Sequence, residues 1–414
     1  MQLTSEEEAM LRGDMGEAVR VAIQYQMEVG KFWGAEKFVP INNVHMMGDI
    51  EVMGEGGYRF LEKMAELGAR TRVETTTNAR CFDFGRIQQL NQNPAAADQE
   101  KTLISLLRQM NVITTDTCIN YQTIYQPHAG EAVAWGDTGT VIYANSVLGA
   151  RSNFESGPAA LAAGITGRVP AYGFHLDEHR KGNILVKVEA ALNDFADWGA
   201  LGKIVGQKHQ NYFSVPVFDG IAKHPSSDQL KHLGAALASY GSMGMFHIAG
   251  ITPEARTLEE AFGGNEPAEV ITVTQEDIEQ VYKGYDVKTG TTNLVVFSAP
   301  HLSLFELKKL ANQLDGKRIH PGMWLIVTLN QAIKQVGTQL GYVQQIEQAG
   351  GIILEGVCFY ILHGIAQMRI DNGWTNLVTN SAKLANIIGA HKFNPVLRRT
   401  ENCIETALTG RISE

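Results

Sequence analysis

Four cysteines occur in the 414 residues, Cys81, Cys118, Cys358 and Cys403, and none belongs to a CxxC pair. A structural zinc site built from local pairs is therefore poorly supported. An iron or iron–sulfur site can instead draw thiolates from distant segments and keep a position open for substrate. Inert core thiols are the plain alternative, since free Cys is among the most buried residue types. A second candidate is His175-Leu176-Asp177-Glu178-His179, which satisfies the HxxEH pattern of one zinc protease class. That chemistry needs both histidines on one helical face with Glu178 as base. Pro170 and Gly173 before it and Arg180-Lys181-Gly182 after it describe a strand and turn, and so argue against a helix. A third is Lys383 in Thr379-Asn380-Ser381-Ala382-Lys383, readable as a Schiff-base lysine, as the partner of a nucleophilic serine, or as an anion contact. The Thr-Asn-Ser run offers hydroxyls and N–H groups at a helix start, which suits an anion. His45 and His247 each end an apparent strand, and a hydrogen-bonded core histidine is the alternative for both. No GxxxxGK[ST] or strand-following GxGxxG supports nucleotide binding.

The elements that position these groups are legible in outline. Thr115 to Arg180 is rich in small residues and poor in long charges, as expected of a wall packed closely around a small ligand. Thr4-Ser5-Glu6-Glu7 is a capping box that should start a helix, broken at Gly13 and resumed from Met15 to Val29, with Gly30 as the stop. Phe38–Ile41 reads as a short strand leading to a loop at His45–Gly48, Tyr58–Leu67 as a helix, Arg72–Glu74 as a strand and Thr75–Asn78 as a turn. A helix over Lys101–Met110 leads into Cys118. Apolar strands are expected at Asn183–Val188, Phe213–Val217, Met243–His247, Val270–Val273, Leu294–Phe297 and Met323–Val327. They alternate with helices at Ala190–Val205, Asp228–Tyr240, Gln275–Lys283, Leu304–Leu314 and Gln331–Ala349. Such alternation argues for an α/β fold of mostly parallel sheets covered by helices.

Composition excludes several classes. With 44% hydrophobic and 19% charged residues the chain can bury real cores, so a disordered or fibrous protein is out. A formal net charge of −9 without a basic block leaves nucleic acid a poor partner. No apolar run approaches the ~18 residues that span a bilayer, and the acidic opening MQLTSEEEAM is no secretory signal, so the expected location is cytoplasmic, with no membrane partner.

Taken together, CINYQTIYQP, GEAVAWGDTGTVIYANSVLGARSNFESGPAALAAGITGR, YGFHLDEHR, FHIAGITPEA and TNSAK resemble the aconitase X family over essentially the whole chain. The resemblance implies an aconitase-like α/β fold of several lobes around a central cleft. It also implies a hydro-lyase with an iron–sulfur cluster or mononuclear iron held by Cys118, Cys358 and Cys403, leaving Cys81 structural. Glu355-Gly356-Val357 ahead of Cys358 departs from the Asp-Thr that many relatives place there. Two activities are known in the family, dehydration of cis-3-hydroxy-L-proline and of 5-phosphomevalonate. GDTGTV and SNFESGP resemble the hydroxyproline group, and Phe154 stands where a phosphate-binding cation would be expected, so the first is favoured. In that reading Arg151 clamps the carboxylate, and Asn145, Ser146, Thr138, Asn380, Ser381 and Lys383 position the substrate, with Ser381 and Lys383 as candidate catalytic groups. Thr76 and His45 close the far side. The metal would act as Lewis acid on the 3-hydroxyl while a base takes the C2 proton. In the superfamily that base sits on a small swivelling domain, so a small swivelling-domain subunit is the expected partner.

Overall fold

The computed structural model describes residues 1–287 and 290–413. Three parallel sheets, each covered by helices, make an α/β fold, as the alternation of apolar strands and helices requires. The first sheet orders Glu74–Thr77, Asn43–Met46 and Ala134–Trp135. The second orders His247–Ile248, Pro216–Asp219, Ile184–Val188 and Glu269–Val273. The third orders Ile352–Glu355, Trp324–Leu329, Leu294–Phe297, Asn376–Thr379 and Asn394–Leu397. The short Phe38–Pro40 strand pairs antiparallel with Arg168–Pro170. No helix among the described residues is long and apolar enough to cross a membrane.

Several local expectations shift. The Thr4–Glu7 capping box forms and the first helix stops at left-handed Gly13, but the next helix, Glu17–Trp33, runs past Gly30 to Gly34. Gly30 lies inside this helix, packed against Met1 and Pro170, and the left-handed stop is Gly34 instead. Thr75–Thr77 is strand rather than turn, and His45 lies inside a strand rather than in a loop. Gln331–Ala349 is two helices, Gln331–Gln339 and Tyr342–Ala349, parted at left-handed Gly341.

In open α/β sheets the crevice beyond the carboxyl ends of the strands is where ligands bind. Here the carboxyl ends of the first and third sheets open toward the same region. Asn78 follows Thr77, Asp137 follows Trp135, His301 follows Phe297, Cys358 follows Glu355 and Lys383 follows Thr379.

Candidate functional site

Asp137 caps the helix Thr138–Tyr143 by accepting from the N–H groups of Gly139 (2.8 Å) and Thr140 (3.3 Å). Across the crevice, Ser381 caps Ala382–Ile387 through Leu384 N–H (3.1 Å), and the first turn of that helix carries Lys383. Lys383 Nζ lies 3.4 Å from both Asp137 oxygens and 3.5 Å from Thr138 Oγ1, and both charged side chains are largely buried. Asn78 Nδ2 reaches Asp137 Oδ2 at 3.4 Å, while Asn78 Oδ1 has no partner. Burial works against the charge on Lys383, but Asp137 and the thiols of Cys118 and Cys358 outweigh it and hold the ammonium above its usual range.

Cys118 and Cys358 share this neighbourhood. Burial pushes the Cys118 thiol up to about 12, with Cys358 and Asp137 adding to the shift; the His301 N–H on its sulfur (3.1 Å) and Lys383 pull the other way. Cys358 is raised by burial and drawn down by Lys383 and by the N–H groups of Tyr360 and Ile361. His301 Nε2 donates to Val357 O (2.7 Å), and burial lowers its imidazole to about 4, so it is neutral with Nδ1 a bare acceptor. Asn120, two residues after Cys118, is fully buried with its whole amide unpartnered. Unsatisfied buried polar groups of this kind call for a partner, whether water, ion or ligand.

Cys403 stands apart from the pair. It lies inside the helix Thr400–Thr409, is completely buried, and its thiol donates to Arg398 O at 3.5 Å. Burial and the nearby Asp194 carboxylate hold it protonated. Among the described residues no three His, Cys, Asp or Glu side chains come close enough together to hold a metal. Cys118 and Cys358 share one neighbourhood and are soft donors of the kind that suits iron. The structure does not gather the expected three thiolates.

The remaining expected residues mostly serve the frame. His45 Nε2 donates to Thr117 O (2.8 Å) and Nδ1 meets Thr76 Oγ1 (2.8 Å), so both nitrogens are engaged, and burial lowers the ring to about 4. Together they brace the backbone one residue before Cys118. Asn145 bonds Ser152 and Gly244, and Ser146 accepts from Phe246 N–H, tying this segment to the one that leads into His247 of the second sheet. Arg151 is bound to His175 O (2.8 Å) and Asp177. Asn380 donates to Thr400 Oγ1 (3.1 Å), and the Ser381 hydroxyl donates to Ala299 O (2.6 Å). His175 and His179 fall in two separate 3₁₀ turns, so the protease motif does not form a helical face. Asp137, Asn78, Asn120 and His301 were not singled out from sequence. The signal for Asp137 was present, as an acidic N-cap ahead of Thr138.

The chain matches the aconitase X first domain over residues 1–178, the second over 182–283 and the third over 292–409. It is 33% identical to the phosphomevalonate dehydratase large subunit of Methanocaldococcus jannaschii, over 93% of this chain and 94% of that one. It is 32% identical to the cis-3-hydroxy-L-proline dehydratase of Pseudomonas aeruginosa, over 99% of this chain and 70% of that one. The crystal structure of Thermococcus kodakaraensis aconitase X in its holo-form superposes with a TM-score of 0.88 at 33% identity, covering 98% of this chain and all of that one. With parallel sheets opening onto one crevice and a family match along nearly its full length, the chain belongs to the aconitase X family and is a hydro-lyase.

Proposed function

We propose that this hydro-lyase dehydrates cis-3-hydroxy-L-proline to Δ1-pyrroline-2-carboxylate. The observation that carries the reading is the Lys383–Asp137 pair at the thiols, one cation and one anion 3.4 Å apart. A zwitterionic imino acid matches such a pair, with its carboxylate on Lys383 and its ring ammonium on Asp137. A phosphate ester that also carries a carboxylate would bring only negative charge toward Asp137, which repels it. The Arg151 guanidinium is held by His175 and Asp177 and adds nothing to this pair.

An iron or iron–sulfur centre held by Cys118 and Cys358 would supply Lewis acidity toward the departing 3-hydroxyl. Lys383 fixes the substrate carboxylate, and Asp137, oriented by Gly139 and Thr140 N–H, fixes the ring nitrogen. Loss of the C2 proton and of the 3-hydroxide leaves an enamine that tautomerises to the cyclic imine. None of the expected groups of this chain is free to take that proton: both His45 nitrogens are engaged, and the Ser381 hydroxyl is spent on Ala299 O. We assign the base to a small swivelling-domain subunit, in keeping with relatives named as large subunits. The complex works in the cytoplasm.

A second reading, 5-phosphomevalonate, rests on the relatives named for that activity at 33% identity. Iron-loaded, anaerobic protein assayed with its co-purifying small subunit against both compounds separates them. Turnover of the imino acid alone is expected, and turnover of the phosphate ester alone reverses the ranking.

A further inference from the structure

Cys118 and Cys358 sit on loops from different sheets, and something must hold those loops in register. Arg80 touches both. Its backbone N–H donates to Gly356 O at 2.9 Å, two residues before Cys358, and Arg80 and Val357 form a parallel bridge. Its guanidinium binds Asp116, two residues before Cys118, and Glu100 at 2.6 Å. Arg80 is 3% exposed and Glu100 fully buried; Glu100 also accepts from Ile50 N–H (2.9 Å), so the guanidinium is fixed to a helix start. Asp116 is held from the other side by the Thr77 hydroxyl (2.8 Å). The two loops approach closely here: Gly356 has φ +69°, and a Cβ on it would lie 3.1 Å from Asp116 Cβ. Asp116 itself has φ +48°, a conformation that Asp tolerates and a β-branched residue would not.

We propose that Arg80 is the positioning residue of the thiol pair, setting the separation of Cys118 and Cys358 through Asp116 on one loop and Gly356 on the other. The inference rests on the two cysteines acting together and is independent of which substrate they serve. Planarity is what fits Arg to this task, because one fork grips two carboxylates on separate elements, which a lysine ammonium cannot do with the same geometry. Outer partners of this kind typically govern metal affinity by about 10–100-fold.

The test uses metal-free, reduced full-length protein titrated with Cd²⁺, following thiolate-to-cadmium ultraviolet absorption. Cys118→Ser and Cys358→Ser identify the signal of the pair. Wild type is expected to bind one Cd²⁺ through both thiols. Arg80→Gln and Asp116→Asn should each weaken that binding at least tenfold, Arg80→Lys should fall between, and the Arg80→Gln/Asp116→Asn double variant should be no worse than Arg80→Gln. Asp116, on a partly exposed loop, is the variant that keeps the test open where Arg80→Gln unfolds, with circular dichroism and melting confirming its fold. Cadmium affinity within twofold of wild type in folded Asp116→Asn overturns the inference. A wild type whose cadmium signal survives loss of either thiol overturns the pair itself.

Discussion

Cys118 with Cys358, and Cys403, are all thiols held protonated by burial, yet they differ in what surrounds the sulfur. The pair has N–H donors aimed at the sulfur, from His301 on Cys118 and from Tyr360 and Ile361 on Cys358, with the Lys383 ammonium within electrostatic reach of both. Cys403 faces a carbonyl that accepts from it and lies near the Asp194 carboxylate. Donors and a cation stabilise a thiolate, whereas an acceptor and an anion stabilise a thiol. Burial is common to both places, so burial alone does not tell a ligand from a core residue. The polarity of the surrounding groups does.

The strongest way to break this contrast is to remove the cation. Lys383→Met should cost at least about 100-fold in kcat/KM, because a charge aimed at substrate and thiolates inside a dry crevice has no substitute. Steady-state kinetics of the loaded complex measures it, and loss within threefold would put Lys383 outside the site. Next in size is the separation of the cysteines. Cys118→Ser and Cys358→Ser should each strip iron from anaerobically purified protein, whereas Cys403→Ala should keep the iron content of wild type. Cys403→Ala should also lower stability by about 1–2 kcal/mol through the cavity it leaves. Iron analysis with denaturant unfolding reads both, and iron loss in Cys403→Ala would join that residue to the centre.

The smallest effect concerns alkali. In metal-free protein the Cys118 thiol is raised from about 9 to about 12, chiefly by burial. The unfolded chain therefore loses that proton first, so the stability it contributes is whole below pH 9 and drains away as pH rises toward 12. Cys118→Ser should show a shallower decline over that window than wild type. Identical slopes in urea unfolding at pH 8 and pH 10 would mean that the thiol is better solvated than its burial implies.

How much of this was legible in the sequence depends on what each signal measures. Wholly apolar strands such as Leu294–Phe297, and capped helices such as Gln275–Lys283, were readable because pattern and cap agree. Thr75–Thr77 read as a turn from its polarity, but β-branched Thr suits a pleated strand, and the hydroxyls of Thr76 and Thr77 find partners in His45 and Asp116. Asn376–Thr379 and Asn394–Leu397 were not called as strands, because Asn and Thr or Pro interrupt their short apolar runs. At the site, Lys383, Cys118 and Cys358 came from the sequence, and the structure brings them together. Arg151, Asn145 and Ser146 were expected as substrate contacts from the family resemblance, with Arg151 as the carboxylate clamp an imino acid needs. Their backbone partners in other segments, Gly244, Phe246 and His175, were invisible to local spacing. Asp137 was passed over for the same reason in reverse, since a capping carboxylate looks complete until Lys383 arrives from 246 positions away.

The separation of Cys118 from Cys358 in the chain has a consequence for how the protein is made. At synthesis rates of about 5–20 residues per second, Cys118 emerges from the ribosome roughly 10–50 s before its partner. The first sheet and its helices have their own apolar core and can form in that interval, with the Arg80 guanidinium already on Glu100 and Asp116, but the backbone N–H of Arg80 has no partner until Gly356 is made. If Cys118 and Cys358 hold the centre as proposed, the pair cannot close early around a wrong ion, because one of its two thiols does not yet exist. On that reading loading is deferred until the last sheet docks and the loop carrying Cys358 is drawn against Asp116.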